Sequence, residues 1–214
     1  MKTNLRCMAG LLLISIVACT ALAYDYPFSS EAIRDAYFLA RENADRHAEF
    51  LQPYQHNLPM PASGAYVDLV RIQTPFTFLV DEIAAKSLDF TSYHAQEAEQ
   101  EFVGKKEPFR VHVEIQFTPT YPKPTDTAET LGEFWNDFRV HLKQKNEAQP
   151  LKTVGRPFLT VPDGGLATVS GYTGAEIDVD YDPKKLDPGS PAIIEVDTPD
   201  GQEVETTFDL ANLH

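Results

Sequence analysis

Phe109-Arg110-Val111-His112-Val113-Glu114-Ile115-Gln116-Phe117 alternates apolar and polar side chains without a break. Successive side chains of an extended strand point to opposite faces, so this stretch predicts a strand with one face in a core and the other toward water. Downstream the same period recurs. Phe138, Val140 and Leu142 alternate, and shorter strands are expected near Phe158–Val161, Leu166–Ser170, Ala175–Tyr181, Ala192–Asp197 and Glu203–Leu210. Turn-forming runs separate them: Asp163-Gly164-Gly165, Gly171 to Gly174, Asp187-Pro188-Gly189 and Pro199-Asp200-Gly201. The last suits a tight hairpin with glycine in the left-handed region. The 16 prolines also favour loops and strands over a helical bundle. Roughly six to eight short strands at close spacing predict an antiparallel sandwich.

Upstream of Phe109 the period is helical. Ser29 and Ser30 offer a cap, Glu31 suits the first turn, and Ile33, Tyr37, Ala40, Ala44, Ala48 and Leu51 form one apolar stripe that Pro53 ends. Glu42 and Arg46 face each other at i,i+4. A loop with Pro59 and Pro61 leads to a strand over Tyr66–Gln73. Thr74-Pro75 then starts a helix to Leu88 that is apolar almost all round, and so is expected to be buried. A third, polar helix is expected from a Thr91 cap to about Val103. Helices first and strands later define an α+β fold, with N-terminal helices packed on an antiparallel immunoglobulin-like β-sandwich. The expected organisation is a helical segment with one strand over 24–106 and the sandwich over 107–214, the two forming one compact unit. The stretch from Tyr181-Asp182-Pro183 through Pro199-Asp200-Gly201 to Phe208 resembles the end of an immunoglobulin-like bacterial exported domain. That resemblance rests on turn chemistry and implies the fold alone.

The N-terminus reads as a signal peptide over 1–23. Lys2 and Arg6 are followed by the apolar run Met8–Val17 and by small residues. That run is shorter than the about 20 residues a membrane span needs. Ala21-Leu22-Ala23 predicts cleavage before Tyr24, giving a periplasmic or secreted protein. Ile16-Val17-Ala18-Cys19 also fits a lipobox, in which Cys19 is lipidated and tethers the chain to a membrane. Both cysteines, Cys7 and Cys19, lie in the signal, so the mature fold has no disulfide. The net charge is −14, and −16 once Lys2 and Arg6 are removed, since 16 basic side chains then face 32 acidic ones. Such a surface repels phosphate backbones, which excludes nucleic acid as a partner and leaves an envelope protein or glycan.

Two constellations carry candidate chemistry. Phe109-Arg110-Val111-His112 and Phe138-Arg139-Val140-His141 are identical tetrapeptides on two expected strands. If those strands pair in one sheet, Arg110, His112, Arg139 and His141 converge on one patch able to hold an anion or Zn²⁺. The bland reading is a solvated sheet face. Asp178, Asp180 and Asp182 alternate along another strand, preceded by Glu176. They match the opening of a calcium loop, but Pro183 and Gly189 stand where such a loop needs glycine and glutamate. Alternate strand side chains are also about 7 Å apart, too far for one ion. Charge protection of a sheet edge is the preferred account of that run. Trp135, Phe134, Tyr121 and Tyr172 offer rings for a sugar or for the core. The sequence has no G-x-S-x-G, H-E-x-x-H or P-loop motif. The expected function is therefore a non-enzymatic binding or accessory role in the bacterial envelope, with no cofactor. The alternatives are a secreted hydrolase using dispersed carboxylates and a carbohydrate-binding module.

Overall fold

The strand over Phe109–Phe117 (β3) is the middle member of a five-stranded antiparallel sheet. In the computed structural model, which describes residues 27–89, 92–119, 133–159 and 172–213, its neighbours are β2 (Ala65–Gln73) and β6 (Tyr172–Tyr181). The outer strands are β1 (Gln55–Asn57) and β5 (Pro150–Leu159), giving the order β1-β2-β3-β6-β5. A second antiparallel sheet has the order β4-β7-β8, from Arg139–Lys143, Ala192–Asp197 and Glu203–Phe208. With four α-helices among the described residues, the fold is α+β. The signal stretch with Cys19, the expected strand at Leu166–Ser170, Thr91 and Tyr121 all lie outside the described residues.

Register explains how the sequence pattern becomes a core. Across the large sheet Ile72, Val111 and Val179 align, and so do Val70, Val113, Ile177 and Gly155. These rows face one apolar cluster, which also takes Leu142, Ile194 and Val196 from the small sheet. Trp135 enters it from the short 3₁₀ turn Phe134–Asp137. The indole packs directly against Gly155: a Cβ built there would sit 2.0 Å from Trp135 Cδ1. Gly174 is equally confined, with the Ile115 carbonyl oxygen 2.1 Å from such a Cβ.

The helices build a second apolar cluster. Ile33, Ala36 and Tyr37 of α1 (Ser30–Ala40) meet Phe76, Leu79, Val80 and Ile83 of α3 (Pro75–Asp89) and Ala98 and Phe102 of α4 (Ala95–Phe102). Phe50 of α2 (Ala44–Leu51) packs against both clusters. The single helix expected up to Leu51 is in fact two. Asn43 accepts a hydrogen bond from Arg46 N and starts a new helix, which leaves Ala44 and Ala48 exposed. Asparagine caps a helix better than it continues one, and that local preference outweighs the periodic stripe. No helix among the described residues is long and apolar enough to cross a membrane.

Three further expectations are corrected. The two Phe-Arg-Val-His strands do not share a sheet: β3 belongs to the large one and β4 to the small one. The phenylalanines and valines do turn inward, since Phe109, Val111 and Phe138 are buried and Val140 packs on the same cluster. The strand carrying Asp178 and Asp180 is not an edge, because β6 lies between β3 and β5. The strand expected from Phe158 begins at Pro150 instead, and its prolines are tolerated because, among the described residues, β5 has a partner in the sheet on one side only.

Gly155→Ala should lower stability by about 1–3 kcal/mol, because the new methyl must displace the indole. Phe109→Ala should cost about 3–5 kcal/mol by opening a cavity under β3. Urea unfolding of both variants checks these values.

Candidate functional site

The polar face of the large sheet carries the densest set of functional side chains. Antiparallel register puts Arg110 opposite Asp180, His112 opposite Asp178 and Glu114 opposite Glu176. Arg110 grips Asp180 in a two-pronged pair, Nε to Oδ1 at 2.7 Å and Nη2 to Oδ2 at 3.2 Å. Its guanidinium also lies over the Phe78 ring of α3, 5.6 Å from the ring centre. Arg156 of β5 donates from Nε to Glu176 at 2.6 Å and from Nη2 to Asp178 at 2.7 Å. His112 is buried, with Nδ1 2.7 Å from Asp178 Oδ1 and Nε2 3.3 Å from Glu114 Oε1. The two candidate sets read separately in the sequence thus meet in part as one network. Burial raises the Asp178 carboxyl, but its hydrogen bond to His112 and the charges of His112, Arg110 and Arg156 outweigh this and hold it below the ordinary range. Asp182 does not join them. It lies past the end of β6 and accepts from Lys184 N at 3.0 Å, capping a 3₁₀ turn.

The outer face of the small sheet holds the second copy of the tetrapeptide. There Arg139, His141 and Lys143 of β4 align with Asp197, Glu195 and Ile193 of β7. His141 Nδ1 is 2.7 Å from Glu147 and its Nε2 is 3.5 Å from Asp197. The Arg139 side chain makes no hydrogen bond or ion pair among the described residues, although its backbone pairs with β7. Thus Arg139 and His141 stand in a different sheet from Arg110 and His112, and the four form no common patch.

One acidic cluster was missed. Carboxylate oxygens of Glu195, Glu203 and Glu205 lie within 4.8 Å of one another. Lys143 forms an ion pair with Glu195 and, with its hydrogen bond, holds that carboxyl below the usual range. Glu203, hydrogen-bonded to Glu195 and repelled by its charge, is pushed up. The signal was available: counting back from the Pro199-Asp200-Gly201 turn pairs Asp197 with Glu203 and Glu195 with Glu205.

Beside that hairpin is a polar recess of about 590 Å³, lined by Asn136, Asp137, Arg139, Asp197, Gln202 and Glu203 among others. Its ridge is stiff. Gly201 has φ +80°, Thr198 Oγ1 accepts from Gln202 N at 3.1 Å, and Gln202 Nε2 donates to Asp200 at 2.7 Å. The aromatic residues considered for sugar stacking mostly stack on each other. Phe134 is 5.4 Å from Trp135 and 6.4 Å from Tyr172 between ring centres, and Trp135 is buried. No protein-family model matches the chain, and no curated protein matches it.

The Asp178 carboxyl contributes stability that is complete above its unfolded pKa of about 3.9 and is lost as pH falls through its lower folded value. Asp178→Asn should therefore destabilise the protein by about 3–5 kcal/mol at pH 7, since it leaves Arg156 and His112 short of a buried partner. The difference between parent and variant should shrink as pH falls from about 5 toward 2. Unfolding curves across that range check both outcomes.

Proposed function

We propose that the chain is an exported bacterial envelope protein with a non-enzymatic binding or accessory role, and that the recess beside the β7–β8 hairpin receives its ligand. The observation that carries this reading is the mixture of groups in the recess. The Arg139 guanidinium, which has no side-chain partner among the described residues, the Asp137 and Asp197 carboxylates and the Asn136 and Gln202 amides line one concavity of about 590 Å³. Ligand sites fall at about 300–1,000 Å³, and a few placed polar groups fix the ligand in them. Donors and acceptors of this variety suit an envelope glycan or a polar segment of an envelope protein. We also read the two sheets as an immunoglobulin-like sandwich. The contribution of Val113, Ile177, Leu142 and Ile194 to one apolar cluster supports that reading.

A secreted hydrolase is the second reading, favoured by the split protonation of Glu195 and Glu203, because acid–base pairs need unlike environments. Glu195 is already neutralised by Lys143, which favours binding over catalysis.

Export comes from the 1–23 signal, with cleavage before Tyr24 preferred to lipidation at Cys19. Intact mass of the mature protein should give an unlipidated chain beginning at Tyr24; a diacylated Cys19 would overturn the free periplasmic or secreted form. For the ligand, soluble peptidoglycan fragments and N-acetylglucosamine oligomers should raise the Tm of the parent and leave Arg139→Ala unchanged. A flat response in the parent, or equal shifts in both proteins, refutes the recess as a glycan site. Turnover of those glycans that is lost in Glu203→Gln would establish the hydrolase instead.

A further inference from the structure

We propose that the free edge of β8 takes up an extended peptide segment as an added strand, one in which apolar residues alternate with lysine or arginine. The edge adjoins the same hairpin as the recess, but the inference does not rest on a ligand there.

The backbone of β8 has an open side. The strand ends the small sheet, and among the described residues β7 is its one strand partner. Thr198 N donates to Gln202 O at 2.9 Å, which makes those two residues a hydrogen-bonded pair of the hairpin. Bonded and non-bonded pairs alternate along an antiparallel ladder. Val204 and Thr206 therefore bond with Val196 and Ile194, whereas Glu203, Glu205 and Thr207 turn their N–H and C=O away from β7. His56 of β1 confirms the direction, since its Nε2 lies 3.2 Å from the Thr207 carbonyl oxygen. That contact closes the edge at Thr207. At Glu203 and Glu205, both exposed, the outward N–H and C=O have no hydrogen-bond partner among the described residues. Such a row of main-chain groups is a template for one more strand.

Each face of the template selects a different side chain. Toward the core, Val204 borders a recess of about 200 Å³ that is also lined by Leu58, Pro59, Ala65, Tyr66 and Val67. Strand side chains alternate, so a segment about 4.8 Å from β8 turns every second residue to this recess and the others to the Glu203 and Glu205 carboxylates. Those carboxylates lie within 4.8 Å of each other and of Glu195. Lys143 pairs with Glu195, and neither Glu203 nor Glu205 has an ion pair among the described residues. Glu203 is already pushed up by its hydrogen bond to Glu195 and by that residue's charge. A cation on an added strand relieves this repulsion, and cross-strand pairs of opposite charge stabilise a sheet. The same charges reject a second copy of this chain, because two β8 edges side by side would set Glu203 and Glu205 against their counterparts.

Fluorescence anisotropy of a labelled, alternating Val-Lys peptide of about eight residues, an ordinary strand length, tests the proposal at low salt. The parent should bind it saturably, and a Val-Glu peptide should not bind. The Val-Lys peptide N-methylated throughout keeps its charge and loses its strand donors. It should bind at least about tenfold more weakly, the equivalent of one or two lost main-chain hydrogen bonds. Glu205→Pro removes an N–H that β7 does not use, at an edge where proline is tolerated. It should weaken binding by a similar factor while circular dichroism shows the fold retained; the N-methylated peptide makes the same test without altering the protein. Arg139→Ala, which alters the recess alone, should bind as the parent does. Absence of binding by the parent overturns the edge site. So does binding indifferent to N-methylation, to Glu205→Pro in the folded variant or to exchange of Lys for Glu. Binding lost in Arg139→Ala also overturns it, by placing the peptide in the recess.

Discussion

The pairing of β3 with β6 is the constraint on which the rest depends. Arg110 meets Asp180 and His112 meets Asp178, and these contacts hold the register in which Phe109, Val111, Val113 and Ile115 lie beside Tyr181, Val179, Ile177 and Ala175. Side chains alternate with period two, so a slip of one residue would turn the apolar set outward and the charges inward. The polar face thus specifies the register while the apolar face supplies the driving force. A buried ion pair contributes little net stability against a well-packed apolar substitute, but a mispaired one is costly. The network belongs to the class of interactions that exclude wrong structures.

The strands with the strongest alternation were legible in the sequence. β3 and β7 match the expected spans, and the hairpin at Pro199-Asp200-Gly201 joins β7 to β8 as its glycine implied. The α3 helix follows Thr74-Pro75 as read, with Thr74 Oγ1 accepting from Thr77 N. Sheet membership was not legible. Two identical Phe-Arg-Val-His strands entered different sheets because pairing is decided by what lies across the gap. β3 found β6, and β4 found Ile194 and Val196 of β7. The tetrapeptide encodes which way its side chains face and nothing about its neighbour.

The same limit divided the candidate site. Arg110 with His112, and Asp178 with Asp180, stood as separate sets in the sequence because about 65 residues lie between them, and long-range pairing leaves no local trace. Once β3 and β6 are adjacent, the sets become partners. The Glu195, Glu203 and Glu205 cluster is the opposite case: its members belong to one hairpin, and local register arithmetic finds it. Both sheets carry a histidine backed by a carboxylate, but only His112, on the larger, lies on a strand with a described neighbour on each side.

The strand order also governs when the molecule can form. Between β4 and β7, its one strand partner, the chain crosses to the other sheet and lays down β5 and β6. Neither sheet is finished before the other begins, and the central strand β3 waits for a partner that lies beyond β4 and β5. Contacts this distant in the chain demand loop closure before they return any energy, and topologies of this kind fold in milliseconds to seconds rather than microseconds. A nascent chain that has delivered β4 still leaves Leu142 without its cover from Ile194. Because the two sheets interleave along the chain, the pair cannot close until β6 and β7 have both been made.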